Sequence, residues 1–216
     1  MHKSINNLIS VKKELEIKSF NHSAEIIAVS KTFPINEVLP LIEYGHEHFG
    51  ENKVQEAITK WSDLKQKHKK IKLHLIGKLQ SNKVKHAVKI FDYIHSLDNI
   101  KLASKIEVEQ KKINKNVKLF IQINIGDEDQ KNGLMPEELK KFYNQCVNEF
   151  NLNILGLMCI PPLTGNMKDY FIKMLNLKNS LGLKDLSMGM SNDYLEAANC
   201  GASFLRIGSK IFGERD

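Results

Sequence analysis

The stretch Glu25-Ile26-Ile27-Ala28-Val29-Ser30-Lys31-Thr32-Phe33-Pro34 decides the fold. Its unbroken apolar run, rich in β-branched residues, reads as a short buried strand over 25–30. The turn that follows contains no glycine. A helix is expected from about Asn36, which can cap it, with Glu37 suited to the first turn. A doubly wound dinucleotide fold would need glycines in that first turn, so that backbone can approach a pyrophosphate. Their absence makes that architecture the runner-up.

Working outward, the same strand-then-helix unit recurs. Further strands are expected at 46–49, 72–76, 92–96, 117–125, 153–159, 185–187 and 202–207. Amphipathic stretches separate them, among them 52–67, 81–90, a helix opening near Pro136, 167–181 and 192–199. An opening helix over 4–19 precedes the first strand. Eight such units with no break in composition argue for a parallel sheet closed into a (β/α)8 TIM barrel. The expectation is a single domain over 1–216 with an extra N-terminal helix.

Composition narrows the class. The 216 residues are 42% hydrophobic and 26% charged, as in ordinary globular proteins, which excludes disordered and collagen-like chains. Lys and Arg outnumber Asp and Glu by 32 to 25, a net charge of +7. Of the 32 basic residues, 30 are lysines; the two arginines are Arg206 and Arg215. The densest basic run, Lys65 to Lys72, has no arginine and no interleaved aromatics. It reads as a solvated helix end, not a nucleic-acid surface. No apolar run approaches the ~18–20 residues of a membrane span, and 1–13 has no apolar signal core. Cys146, Cys159 and Cys200 match no zinc or redox spacing, so a reducing cytoplasm is expected.

In a barrel the chemistry sits at the C-terminal ends of the strands. Lys31 emerges there after the first strand, beside apolar residues that would desolvate its amine and favour a nucleophile. The other reading is one solvated lysine among 30. After the last two strands come Gly189-Met190-Ser191 and Gly208-Ser209, with Arg206 two residues before Gly208. Ser191 is expected to open a helix, with Asn192 or Asp193 as cap. Glycines, a helix start and a guanidinium fork suit a phosphate, although the same residues could merely cap elements. His74 alternates with leucines, so it either points into the barrel or is a satisfied core histidine, the second being the favoured reading. His46 and His48 could pair on a metal but lack a clear third ligand. Asp127, Glu128 and Asp129 form an acidic loop that could hold a cation or simply face water.

Several blocks resemble one family. They include Ala28-Val29-Ser30-Lys31-Thr32, Phe49-Gly50-Glu51-Asn52, His74-Leu75-Ile76-Gly77 and His95-Ser96-Leu97-Asp98. Gln122 to Ile125 with Lys131 and Gly133, and Gly156-Leu157-Met158, continue the series. Leu186-Ser187-Met188-Gly189-Met190-Ser191, Arg206-Ile207-Gly208-Ser209 and Ile211 to Arg215 close it. In that order they resemble the pyridoxal phosphate homeostasis proteins, small relatives of the alanine racemase N-terminal domain. The resemblance implies that Lys31 binds pyridoxal 5'-phosphate (PLP) covalently as a Schiff base. It implies that Ser191, Gly208 and Ser209 hold the phosphate and that Arg206 contacts the phosphate or the pyridine edge. Asn52, His74 and Met158 would line the pocket. Phe33, where many relatives have lysine, and Lys210, where a small residue is common, depart from the pattern.

The implied role is a cytoplasmic PLP carrier without robust catalysis that supplies or buffers the cofactor, with PLP-dependent apoenzymes as possible recipients. Racemases and decarboxylases of this fold type add a β-rich domain across a dimer. The chain ends seven residues after Ser209, so no such domain, no second catalytic acid/base and a monomer are expected. A PLP-dependent amino-acid racemase is the alternative, and a basic RNA- or DNA-binding protein the third reading.

Overall fold

The computed structural model describes residues 1–18, 23–127, 132–162 and 164–214. The expectations on Glu128, Asp129, Lys131 and Arg215 lie outside the described residues. The elements run α1 (Lys3–Ile17), β1 (Glu25–Val29), α2 (Ile35–Glu43), β2 (His48–Glu51), α3 (Val54–Lys67), β3 (Lys72–Leu75), α4 (Val84–Ile90) and β4 (Tyr93–Leu97). They continue with α5 (Ile100–Lys112), β5 (Lys118–Ile123), α6 (Leu139–Asn148), β6 (Ile154–Cys159), α7 (Met167–Ser180), β7 (Asp185–Ser187), α8 (Tyr194–Asn199), β8 (Phe204–Ile207) and α9 (Ser209–Phe212).

The strands are parallel and follow chain order around a closed barrel, as expected. Closure comes from β1 pairing with β8, with Glu25 opposite Phe204 and Ala28 opposite Ile207. The period-2 alternation of each strand then makes two cores. Outward-facing residues such as Phe49 and Leu73 join helix residues such as Trp61 and Leu41 in the larger one. Inward-facing Ile27, Val29, Ile76, Tyr93, Phe120, Met158 and Phe204 form a separate cluster inside the barrel. α1 lies outside the repeat and packs on both α2 and α9.

Three local expectations are corrected. The second strand is not 46–49 but His48–Glu51. Gly45 takes φ 93°, and the His46 N–H bonds back to Leu41 O, so both still belong to the end of α2. Gly50 and Glu51 extend the strand by pairing with His74 and Leu75. α2 starts at Ile35 behind Pro34, not at a capping Asn36. Ser191 does not open α8, which starts at Tyr194 with Asp193 before it. The Asp193 carboxylate instead accepts from the Met190 N–H at 2.5 Å and tightens the turn ahead of the helix.

Candidate functional site

Lys31 is half-buried in the turn after β1, which is fixed from behind by α3 and the end of β2. The Ser30 hydroxyl donates to Glu51 Oε1 at 2.8 Å. Lys60 Nζ donates to the Ser30 carbonyl at 2.8 Å and pairs with Glu51 Oε1 at 2.9 Å. Trp61 Nε1 donates to the same oxygen at 3.0 Å. A fully buried carboxylate is costly unless paired, and here its pairing clamps the residue before Lys31. On the other side Thr32 adopts φ 69°, and its N–H donates to Glu56 Oε1 at 2.7 Å. Phe33 stacks on Phe212 of α9, with centroids 4.9 Å apart. The departure at Phe33 thus has a structural role: it ties the Lys31 turn to the last helix.

Arg206 points into the barrel from β8 and is buried. Its Nη1 donates to Ser187 Oγ at 2.8 Å and its Nη2 to the Cys159 carbonyl at 2.7 Å. Both acceptors are neutral, and no described carboxylate forms an ion pair with it. Burial lowers its pKa from the ordinary value, without approaching neutrality for a guanidinium. A buried cation of this kind is a standing attraction for an anionic or electron-rich group.

Behind Arg206 a line of hydrogen bonds runs along the barrel interior. Ser187 Oγ meets His95 Nδ1 at 2.9 Å, His95 Nε2 meets His74 Nδ1 at 2.9 Å, and His74 Nε2 meets His48 Nδ1 at 2.9 Å. Tyr93 stacks on His74 at 4.2 Å and Phe120 on His95 at 4.4 Å. Desolvation holds both histidines well below the ordinary imidazole value, helped at His95 by the Arg206 charge. Both are neutral, which suits one donor and one acceptor nitrogen per ring.

The remaining expected residues gather less tightly. Met158 is fully buried inside the barrel, between Gln122 of β5 and Ser187 of β7. Gly208 lies against Val29, two residues before Lys31, so the ends of β1 and β8 meet. Ser191 Oγ accepts the Lys210 N–H at 3.3 Å, which brings the turn after β7 to the start of α9. Ser209 is exposed there, and Asn52 is half-buried in the loop after β2. His74 is the satisfied core histidine that its alternation suggested, with both ring nitrogens engaged. The Lys210 side chain does not point freely to water: its Nζ donates to Glu14 and Tyr194, each at 2.8 Å.

The metal pairing considered for His46 and His48 is overturned. His46 Nε2 bonds the His48 carbonyl at 2.9 Å, and His48 turns its Nδ1 to His74. Ser187, His95 and the role of His48 were missed. Period-2 alternation puts such residues on the inner face, but the contacts depend on cross-strand register, which no single strand encodes.

Comparison with known proteins places the chain. Residues 11–216 match the alanine racemase N-terminal domain family. The pyridoxal phosphate homeostasis protein of Pasteurella multocida is 38% identical over 204 residues, covering 90% of this chain and 88% of its own. That of Haemophilus influenzae is 38% identical over 224 residues, covering 97% and 94%. The chain belongs to the pyridoxal phosphate homeostasis protein family. Among solved structures of the fold, Synechococcus elongatus PipY with PLP bound superposes with a TM-score of 0.86 at 32% identity, covering 97% of this chain and all of that one. Family membership agrees with a site at the C-terminal mouth, where the Lys31 turn, the β7–α8 turn and α9 converge.

Proposed function

We propose that residues 1–216 act as one PLP-binding barrel that holds the cofactor covalently on Lys31 and supplies or buffers it, without robust catalysis of its own. The observation that carries this reading is the buried Arg206 fork, without a carboxylate partner among the described residues, set at the same end of the barrel as the Lys31 turn. The names of the relatives and the PLP-bound PipY support it.

The residues fit the group by class. A lysine at the end of β1 offers the amine, and bound PLP supplies an aldehyde reactive toward amines. Ser191, Gly208 and Ser209 offer a hydroxyl-lined backbone turn for the phosphate. Arg206 orients the ring or its phosphate with a fork that cannot lose its proton. Met158 backs the pocket from inside the barrel, and Asn52 and His74 belong to its surroundings. The reading extends to a cytoplasmic monomer that passes PLP to PLP-dependent apoenzymes.

The test is an absorbance spectrum of the purified protein with PLP. The wild type is expected to be yellow, and Lys31→Ala to lose the band while remaining folded. Borohydride reduction followed by peptide mass analysis should place the cofactor on Lys31. A label on another lysine overturns the assignment. Deuterium exchange at the α-carbon of amino acids at enzyme-like turnover would overturn the carrier reading in favour of a racemase-like enzyme.

A further inference from the structure

The hydrogen-bonded line behind Arg206 crosses the barrel from one mouth to the other. At its far end His48 is half-buried and lines a cleft of about 1030 Å³ at the N-terminal mouth, with Lys12, Glu16, Tyr44 and His46. The opposite end is Arg206, at the mouth where Lys31 sits. We infer that His48, His74 and His95 are positioning residues for Arg206: each imidazole sets the tautomer of the next, so protonation of His48 at one mouth decides how Ser187 engages Arg206 at the other.

Donor counting gives the two states. Arginine only donates, so Ser187 Oγ always accepts from Arg206. In the neutral line the Ser187 hydroxyl donates to His95 Nδ1, His95 Nε2–H to His74 Nδ1, and His74 Nε2–H to His48 Nδ1. Every N–H then points away from the guanidinium charge, which is the favoured polarity in a low-dielectric interior. When His48 takes one proton from water, both of its nitrogens carry hydrogen, and Nδ1 must donate to His74 Nε2. His74 then keeps a single hydrogen, now on Nδ1, and His95 does the same. Both stay neutral, and the line as a whole holds one more proton. Ser187 now accepts from both Arg206 and His95 and must turn its own hydrogen elsewhere. Both lone pairs of Ser187 Oγ are then taken, and without an O–H donated to His95 the oxygen is less polarised as an acceptor, so the Arg206–Ser187 bond loosens.

The stacking of Tyr93 on His74 and of Phe120 on His95 holds the rings in line, with Phe204 against all three imidazoles. The groups that face His48 are Glu25 from β1, Glu47 and His46 before β2, Lys72 and His74 from β3, and Lys118 from β5. Lys118 Nζ also holds the Tyr93 hydroxyl at 3.1 Å. Burial lowers the His48 pKa from its ordinary value, Glu25 and Glu47 oppose the shift, and the lysines add to it. His48 is the least buried member of the line, hence the one that titrates first.

The relay stands on bonds within the chain, and only its bearing on PLP rests on the function proposed above. Two-bond 1H–15N NMR of the protein without PLP reads the tautomers directly. At pH 8 His74 and His95 should both be Nε2–H. As His48 titrates they should switch to Nδ1–H, and the Arg206 side-chain N–H signals should shift with the same midpoint. His48→Gln, whose amide oxygen can still accept from His74, should hold both rings in the Nε2–H form wherever the backbone spectrum shows a folded protein. A His95 tautomer indifferent to His48, a switch that survives His48→Gln, or unmoved Arg206 signals would each overturn the inference. Absence of PLP binding at every pH would overturn the cofactor reading and leave the tautomer result standing.

Discussion

At the scale of single residues, position outweighs abundance. Thirty lysines share the chain, and among the described residues Lys115 has a notably acidic amine. Burial lowers the Lys115 pKa to about 8. Its Nζ donates to the Phe91 carbonyl at 2.7 Å and the Lys89 carbonyl at 3.1 Å, just before β5 at the mouth opposite Lys31. Borohydride trapping should therefore leave Lys115 unlabelled, because acidity without a phosphate cradle does not make a cofactor site. Arg206→Lys should lower PLP affinity at least tenfold by equilibrium dialysis. A lysine cannot bridge Ser187 Oγ and the Cys159 carbonyl as a planar fork, and losing a buried charge-assisted bond costs about 1.5–3 kcal/mol. Cys146 and Cys159, pushed up to about 12 by burial, should resist thiol reagents at pH 8 in the native protein and react upon unfolding. Lys31 and Arg206 stand out in the sequence because strand ends and the rarity of arginine single them out as candidates. Ser187 and His95 were not, because a buried serine or histidine looks the same whether its partner is water, backbone or a neighbouring strand.

At the scale of elements, the strand-end turns carry both the readable and the unreadable parts. The alternation of apolar runs with amphipathic stretches located the eight strands to within a few residues. It failed at β2, where Gly50 breaks the apolar signal yet lies inside the barrel. A Cβ at Gly50 would stand 2.9 Å from Ile27 Cγ2 and 3.2 Å from Ile76 Cδ1. Gly50→Ala should cost about 1–3 kcal/mol in urea unfolding, the usual range for overpacking. The clamp behind Lys31 was also hidden, since Glu51 and Lys60 belong to different elements. Removing its carboxylate with Glu51→Ala leaves the Lys60 amine and the Trp61 N–H without their shared partner. A loss of about 3–5 kcal/mol is expected.

At the scale of the whole molecule, the buried histidines set the response to pH. The folded pKa values of His74 and His95 lie well below 6.5, while the unfolded chain titrates near 6.5. Between those limits the unfolded state binds more protons, so their contribution is fully present above pH ~6.5 and is lost as pH falls. Each can contribute a slope of up to about 1.4 kcal/mol per pH unit in that window. Unfolding free energies should be lower at pH 5.5 than at 7.5, and His95→Phe should flatten the difference. No helix among the described residues is long and apolar enough to cross a membrane. The closed barrel was legible from its eight repeating units, but the register that seals it was not, because which residue of β1 faces which of β8 leaves no mark on either segment. That closure has a consequence for how the protein is made. β1 finds its second neighbour only when β8 arrives, and the Lys31 turn receives Phe212 later still. On the ribosome these partners emerge after the seven preceding strands, and pairing them closes a loop that spans nearly all of the barrel. On the function proposed above, a nascent chain that lacks β8 and α9 has Lys31 but not the rest of its cradle, so capture of the cofactor waits for the last strand of the barrel.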